Sequence, residues 1–179
     1  MLMLHSLIIP HRKRLLNLNL CLQSIQRSAE ICGTNDYEVI VVNDGPQDPG
    51  FTLMPHILYA LPPRQSEQHF NKPELQCYGL MMARGQVFTF LDADALVSPR
   101  FMDNPHRLLD DPTLIKLCYR VRKLPEGNHI LDRMKALFSE YDQFPRAMEA
   151  YRKPHTGWLP PHQEKRFIAT GEPVFGNSQ

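Results

Sequence analysis

Net charge is almost absent from this chain, in which 20 basic side chains meet 19 acidic ones. No global field therefore pulls it toward nucleic acid or anionic lipid. Cysteine is scarce: Cys21, Cys32, Cys77 and Cys118 form no Cys-x-x-Cys pair and have no histidine spacing that would complete a zinc site. Cys21 falls on an apolar helical stripe and reads as a buried free thiol, and nothing requires an oxidising compartment. Long hydrophobic runs are missing too. The apolar stretch that begins at Met1 reaches Pro10, too short to span a bilayer and without the layout of a signal peptide. These absences predict a cytoplasmic protein without a transmembrane segment or nucleic-acid partner, and leave peripheral membrane contact open. No internal repeat, low-complexity tract or linker divides the 179 residues, so a single domain over 1–179 is expected, long enough to bury a core.

What is present is a globular composition, 42% hydrophobic, which argues against disorder. The 16 prolines gather after residue 46 and predict long, defined loops. Leu4 to Ile9 is a compact apolar run whose ladder is expected to stop at Pro10. Leu15, Leu18, Leu22, Ile25 and Ala29 recur at steps of three and four, the apolar face of a helix, with Gly33 just past its end. Tyr37 to Val42 is β-branched and reads as a central strand that closes on Asn43-Asp44-Gly45-Pro46. Strand, helix and strand make a parallel βαβ unit.

Further strands are predicted at Ile57–Leu61, Gln86–Leu91 and Leu114–Val121, and helices from Pro73 to Ala83 and from Pro99 to Leu109. From Ile130 a stripe through Met134, Leu137, Phe138, Tyr141, Met148 and Tyr151 predicts helix broken at Pro145, a pattern of core packing.

The segment Gln86–Asp94 carries most information: a β-rich run stops at two carboxylates, Asp92 and Asp94, on either side of Ala93. Such a pair alone is more often a turn or a helix cap. In an open parallel sheet, however, ligands sit beyond the carboxyl ends of the strands. There the polar ends Pro10-His11-Arg12, Asn43-Asp44-Gly45 and Asp92-Ala93-Asp94 would share one edge. The basic turn supplies cations for a diphosphate, Asp44 accepts hydrogen bonds from a base or ribose, and Asp92 with Asp94 anchors a hard divalent cation. Asn71 and Lys72, ahead of the Pro73 helix, add a donor to the base or a charge near the phosphates.

Taken in order, Ser6–Pro10, Cys21-Leu-Gln-Ser-Ile25, Glu38–Gly45, Ala83-Arg-Gly85 and Phe90–Asp94 with Pro99 resemble the family 2 glycosyltransferases of GT-A fold. The likeness covers about residues 4 to 102 and implies an α/β, Rossmann-like, mostly parallel sheet flanked by helices. It implies sugar transfer from a nucleotide diphosphate sugar, usually with inversion and with Mn²⁺ or Mg²⁺, to a saccharide or glycoconjugate acceptor. By position, Pro10 and His11 would lie against the nucleotide, Asp44 against the base, Asp92 against the ribose or donor sugar, and Asp94 on the metal. Lys72 falls roughly where the family often has a basic donor-site residue. Two departures stand out: His11-Arg12 replaces a commoner threonine-tyrosine-asparagine run, and Asn43 a frequent aspartate.

On this resemblance residues 4–121 form a donor half and 122–179 a partial acceptor-side region; there Trp158, Tyr141, Tyr151 and the histidines are candidates to stack on a sugar, while Trp158 equally fits the anchor of a proline-rich loop. The family's catalytic base is an acid beyond a glycine-rich segment. Thr170–Gln179 resembles the start of that segment, so the chain is expected to stop short of the acid. Glu172, Glu164 and His162 are equal candidates, and the base is left unassigned. Two other readings stand: a nucleotide-binding module without turnover, and nucleotidyl transfer. The second needs a glycine-rich phosphate loop, and Pro10–Arg14 contains no glycine.

Overall fold

A computed structural model describes residues 5–45, 56–63, 69–110, 121–122 and 174–175. Among them the order is β1 (His5–His11), α1 (Leu15–Cys32), β2 (Tyr37–Asn43), β3 (Ile57–Ala60), α2 (Lys72–Met82) and β4 (Val87–Phe90). There follow β5 (Leu96–Val97), a 3₁₀ turn (Phe101–Asp103), α3 (Asn104–Asp110), β6 (Val121–Arg122) and β7 (Val174–Phe175). The chain forms two compact units, one of Met1–Asn19 with Thr34–Asp94 and one of Leu20–Gly33 with Ala95–Gln179.

The first unit holds a four-stranded sheet in the order β3-β2-β1-β4, every pairing parallel. All seven residues of both β1 and β2 are buried, as expected for central strands covered on both faces. Helix α2 packs on β1 and β2. Leu75, Ile40 and Val42 meet in a buried cluster flanked by Tyr78, Met82 and Ala83, each large side chain contributing about 1.5–3 kcal/mol of transfer energy. Close approach requires Gly79, where a Cβ would meet Cγ2 of Ile8 at 2.5 Å and Cγ2 of Val42 at 3.1 Å.

The α/β class and the parallel sheet agree with the sequence. Strand β1, however, continues past Ile9, and Pro10 and His11 pair in register with Val42 and Asn43. The alternation of hydrogen bonds explains why. The His5 N–H donates toward β2, to Asp36, and the His11 carbonyl accepts from Asp44 on that side, whereas the Ile8 carbonyl accepts from Leu91 on the β4 side. Pro10, in phase with Ile8, therefore turns its missing N–H toward β4, beyond the last paired residue there.

Below the sheet's amino-terminal edge, the buried Glu38 carboxylate collects four bonds. Oε1 accepts from Ser6 Oγ (2.7 Å) and the Arg84 N–H (2.7 Å), and Oε2 from Arg84 Nε (2.9 Å) and Nη2 (2.8 Å). The Gly85 N–H donates to Ser6 Oγ at 2.8 Å. A Cβ on Gly85 would lie 2.7 Å from the Ser6 nitrogen and 2.9 Å from the His5 carbonyl carbon. Burial would raise the Glu38 carboxyl, but these donors outweigh it and hold it below its ordinary value.

In the second unit, β7 pairs antiparallel with β5 and parallel with β6. Two helical serines splice α1 to β5 and the turn beyond it. Ser24 Oγ donates to Cys21 and accepts the Val97 N–H (3.2 Å), and Ser28 Oγ donates to Pro99 and accepts the Met102 N–H (3.1 Å). Helix α1 ends at Gly33, whose φ of +65° suits glycine.

The expected helix over Pro99–Leu109 is instead a 3₁₀ turn followed by α3. Pro105 has no N–H to give the carbonyl four residues back, so regular helix must restart beside it. The predicted strand from Leu114, save Val121, lies outside the described residues, as do the stripe from Ile130, Trp158, Tyr141, Tyr151, His162, Glu164 and Glu172.

Candidate donor site at the carboxyl edge of the sheet

Strands β1, β2 and β4 run parallel and adjacent, so their carboxyl ends open on one edge. Chain order runs outward from β1 to β2 and β3, then returns to the other side of β1 for β4. The crevice between β1 and β4 is thus the point where strand order reverses, the place in such sheets where ligands bind.

His11 ends β1 with its side chain buried. The amide of Asn43 donates through Nδ2 to the Gly45 carbonyl (2.8 Å), which leaves Oδ1 as acceptor for His11 Nδ1 at 3.1 Å. His11 Nε2 in turn accepts the Arg14 N–H at 3.3 Å. The ring is therefore neutral with its proton on Nδ1, and it ties the ends of β1 and β2 to the basic turn. Within that turn Lys13 takes φ of 63°, a left-handed bend that aims its neighbours.

Arg12 approaches the buried Asp44 at 3.7 Å, and Arg14 pairs with Asp94 at 3.2 Å, bridging the β1–β4 crevice. Asp92 pairs with Lys72, the first residue of α2. Asn71 caps that helix: its Oδ1 accepts the Glu74 N–H at 3.4 Å and its Nδ2 donates to Glu74 at 2.9 Å. The two acidic groups differ in setting, Asp94 being 11% exposed and Asp92 47%. Burial, and then the charge of Asp92, push the Asp94 carboxyl above its ordinary value against the pull of Arg14 and Lys72.

Pro10, His11, Arg12, Asp44, Asn71, Lys72, Asp92, Ala93 and Asp94 all belong to the first unit. The ion pairs join Arg12 to Asp44, and Lys72 to Asp92. The side chains of His11 and Asn71 serve the scaffold, one locking the strand ends and the other starting α2. Two residues carry more than their sequence context suggested. Arg14, not among the expected site residues, is the partner of Asp94, and Asn43, read as a replaced aspartate, fixes the His11 ring. No local signal marks either pairing, since each joins positions far apart in the chain. Among the described residues no three metal-binding side chains are gathered, and no helix is long and apolar enough to cross a membrane.

No protein-family model matches the chain, and no curated protein sequence does. Solved structures do. The chain superposes on S. aureus TarS 1–349 with a TM-score of 0.55 and 17% identity, over 70% of this chain and 38% of that one. The complex of TarS 1–349 with UDP matches with a TM-score of 0.52, 15% identity and the same coverage. The complex with UDP-GlcNAc matches with a TM-score of 0.50 and 15% identity, over 70% and 36%. The match thus spans little more than a third of TarS 1–349, and at this identity it establishes the shared α/β fold.

Proposed function

We propose that this chain binds a nucleotide diphosphate sugar at the carboxyl edge of β1, β2 and β4 and serves glycosyl transfer, with inversion, to a saccharide or glycoconjugate acceptor. The observation that carries this reading is that Arg12, Arg14, Asp44, Asp92 and Asp94 share the carboxyl edge of a parallel sheet, with the Arg14–Asp94 pair at its reversal point. The ordered resemblance of residues 4 to 102 to family 2 glycosyltransferases supports it. So does the fold shared with a protein solved with UDP and with UDP-GlcNAc.

Each side chain has a part in this reading. Arg12 and Arg14 face the diphosphate, and Asp44, held in place at the end of β2, accepts from the base. Lys72 lies at the start of α2, where the helix adds its own positive end. Asp92 and Asp94 would hold Mn²⁺ or Mg²⁺. Their hard oxygens, and the crowding that raises Asp94, suit a hard divalent cation. Such a cation, when bound, would supply positive charge to a departing diphosphate. The acceptor's base is an acidic residue still to be assigned.

Calorimetry with UDP, GDP and dTDP, with and without Mn²⁺, tests the donor site. Metal-dependent binding of one of them, lost in Asp94→Ala, is expected, and equal binding by the variant would remove the metal role. Slow hydrolysis of the matching nucleotide sugar without acceptor separates a competent donor half from a binder without turnover.

A further inference from the structure

The acidic pair already has cations of its own. Arg14 lies 3.2 Å from Asp94 and Lys72 pairs with Asp92, so these four groups sum to zero formal charge. A divalent ion entering alone would have to displace two cations or sit beside them, and neither step is favourable at short range. A diphosphate changes the balance, because its oxygens offer both cations a new anionic partner as the carboxylates are vacated.

The backbones at both positions are fixed. The Arg14 N–H donates to His11 Nε2 and its carbonyl accepts the Leu18 N–H at 3.0 Å, while Lys72 is built into the first turn of α2. The two side chains are nearly half exposed on long flexible stems. Only the side chains need move, and neither is packed in a core.

We propose that Arg14 and Lys72 are resident counter-ions that exclude a divalent cation from Asp92 and Asp94 until a diphosphate arrives, and then exchange the carboxylates for phosphate. The proposal rests on the donor-site reading above. It makes metal and diphosphate bind as one event, with Arg14 and Lys72 as positioning residues that set the order.

The test measures Mn²⁺ binding by electron paramagnetic resonance, with no nucleotide present, for the wild-type chain, Arg14→Gln, Lys72→Gln and the double variant. Each single change is expected to tighten binding of Mn²⁺ alone by about fivefold, the scale of one exposed ion pair. The same variants should bind the cognate diphosphate more weakly when Mn²⁺ is supplied. Unchanged or weaker binding of Mn²⁺ alone in the double variant overturns the proposal while the donor site stands, provided that UDP, GDP or dTDP binds the wild type. If none of the three binds the wild type with Mn²⁺, the donor reading falls and this proposal with it.

Discussion

His11 and Asn43, neighbours in register at the ends of β1 and β2, share a buried hydrogen bond of 3.1 Å that fixes the tautomer of the ring and, through it, the Arg14 amide. His11→Ala removes the ring's bonds to Asn43 Oδ1 and to the Arg14 N–H. A loss of about 1–3 kcal/mol is expected in urea unfolding, with weaker diphosphate binding because Arg14 loses its anchor. An unchanged midpoint would show that the ring bonds contribute nothing.

Glu38 gives a pH-dependent prediction. Its carboxyl is lower in the folded chain than in the unfolded one, so its stabilisation is complete above the ordinary glutamate value of about 4.3 and is lost as pH falls through the depressed folded value. Glu38→Gln should cost about 1–3 kcal/mol at neutral pH, and the gap to wild type should narrow only in acid. Arg84→Ala should cost less. That side chain is 72% exposed, and the variant keeps the backbone N–H that Glu38 binds. Urea midpoints across pH 3 to 7 test both, and a gap constant over the window argues against the assignment.

Glycine substitutions should rank by the atoms that a new Cβ meets. Gly85→Ala drives into the backbone of β1 and Gly79→Ala into Ile8, so each should lose about 1–3 kcal/mol. At Gly45 the nearest atoms lie at 3.7 Å, an ordinary contact, so alanine there should be tolerated. Thermal melts of the three variants give the order directly.

Thiol labelling should separate the cysteines. Burial, and then the hydrogen bond and charge of Asp103, push the Cys32 thiol up to about 11, which leaves little thiolate at neutral pH. Cys21 is buried and Cys77 exposed. Among the three described cysteines, mass-mapped alkylation at pH 8 should modify Cys77 first, Cys32 slowly and Cys21 only on unfolding. Early labelling of Cys32 would contradict its surroundings.

The strands and helices of the first unit could be read from the chain because their signals are local. Val39 to Val42 are β-branched, Pro73 opens a helix, and Gly33 closes one. The reach of β1 through Pro10 could not be read, since it depends on which neighbour the proline nitrogen faces. Nor could β5 and β7, two-residue strands that exist only through pairing with segments far along the chain. At the site, the acidic pair and the basic turn stood out by composition. That Arg14 rather than Arg12 meets Asp94 is a pairing across eighty residues, and no neighbouring residue type announces it.

The Ser6–Glu38–Arg84–Gly85 knot closes the sheet at the end opposite Asp44 and Asp92. On the proposed donor reading, this buried network and the residues that would select a donor lie at different termini of the same strands. Laboratory evolution for higher soluble yield should collect its changes around the knot, and evolution for a new donor around the opposite rim, with little interference between the two.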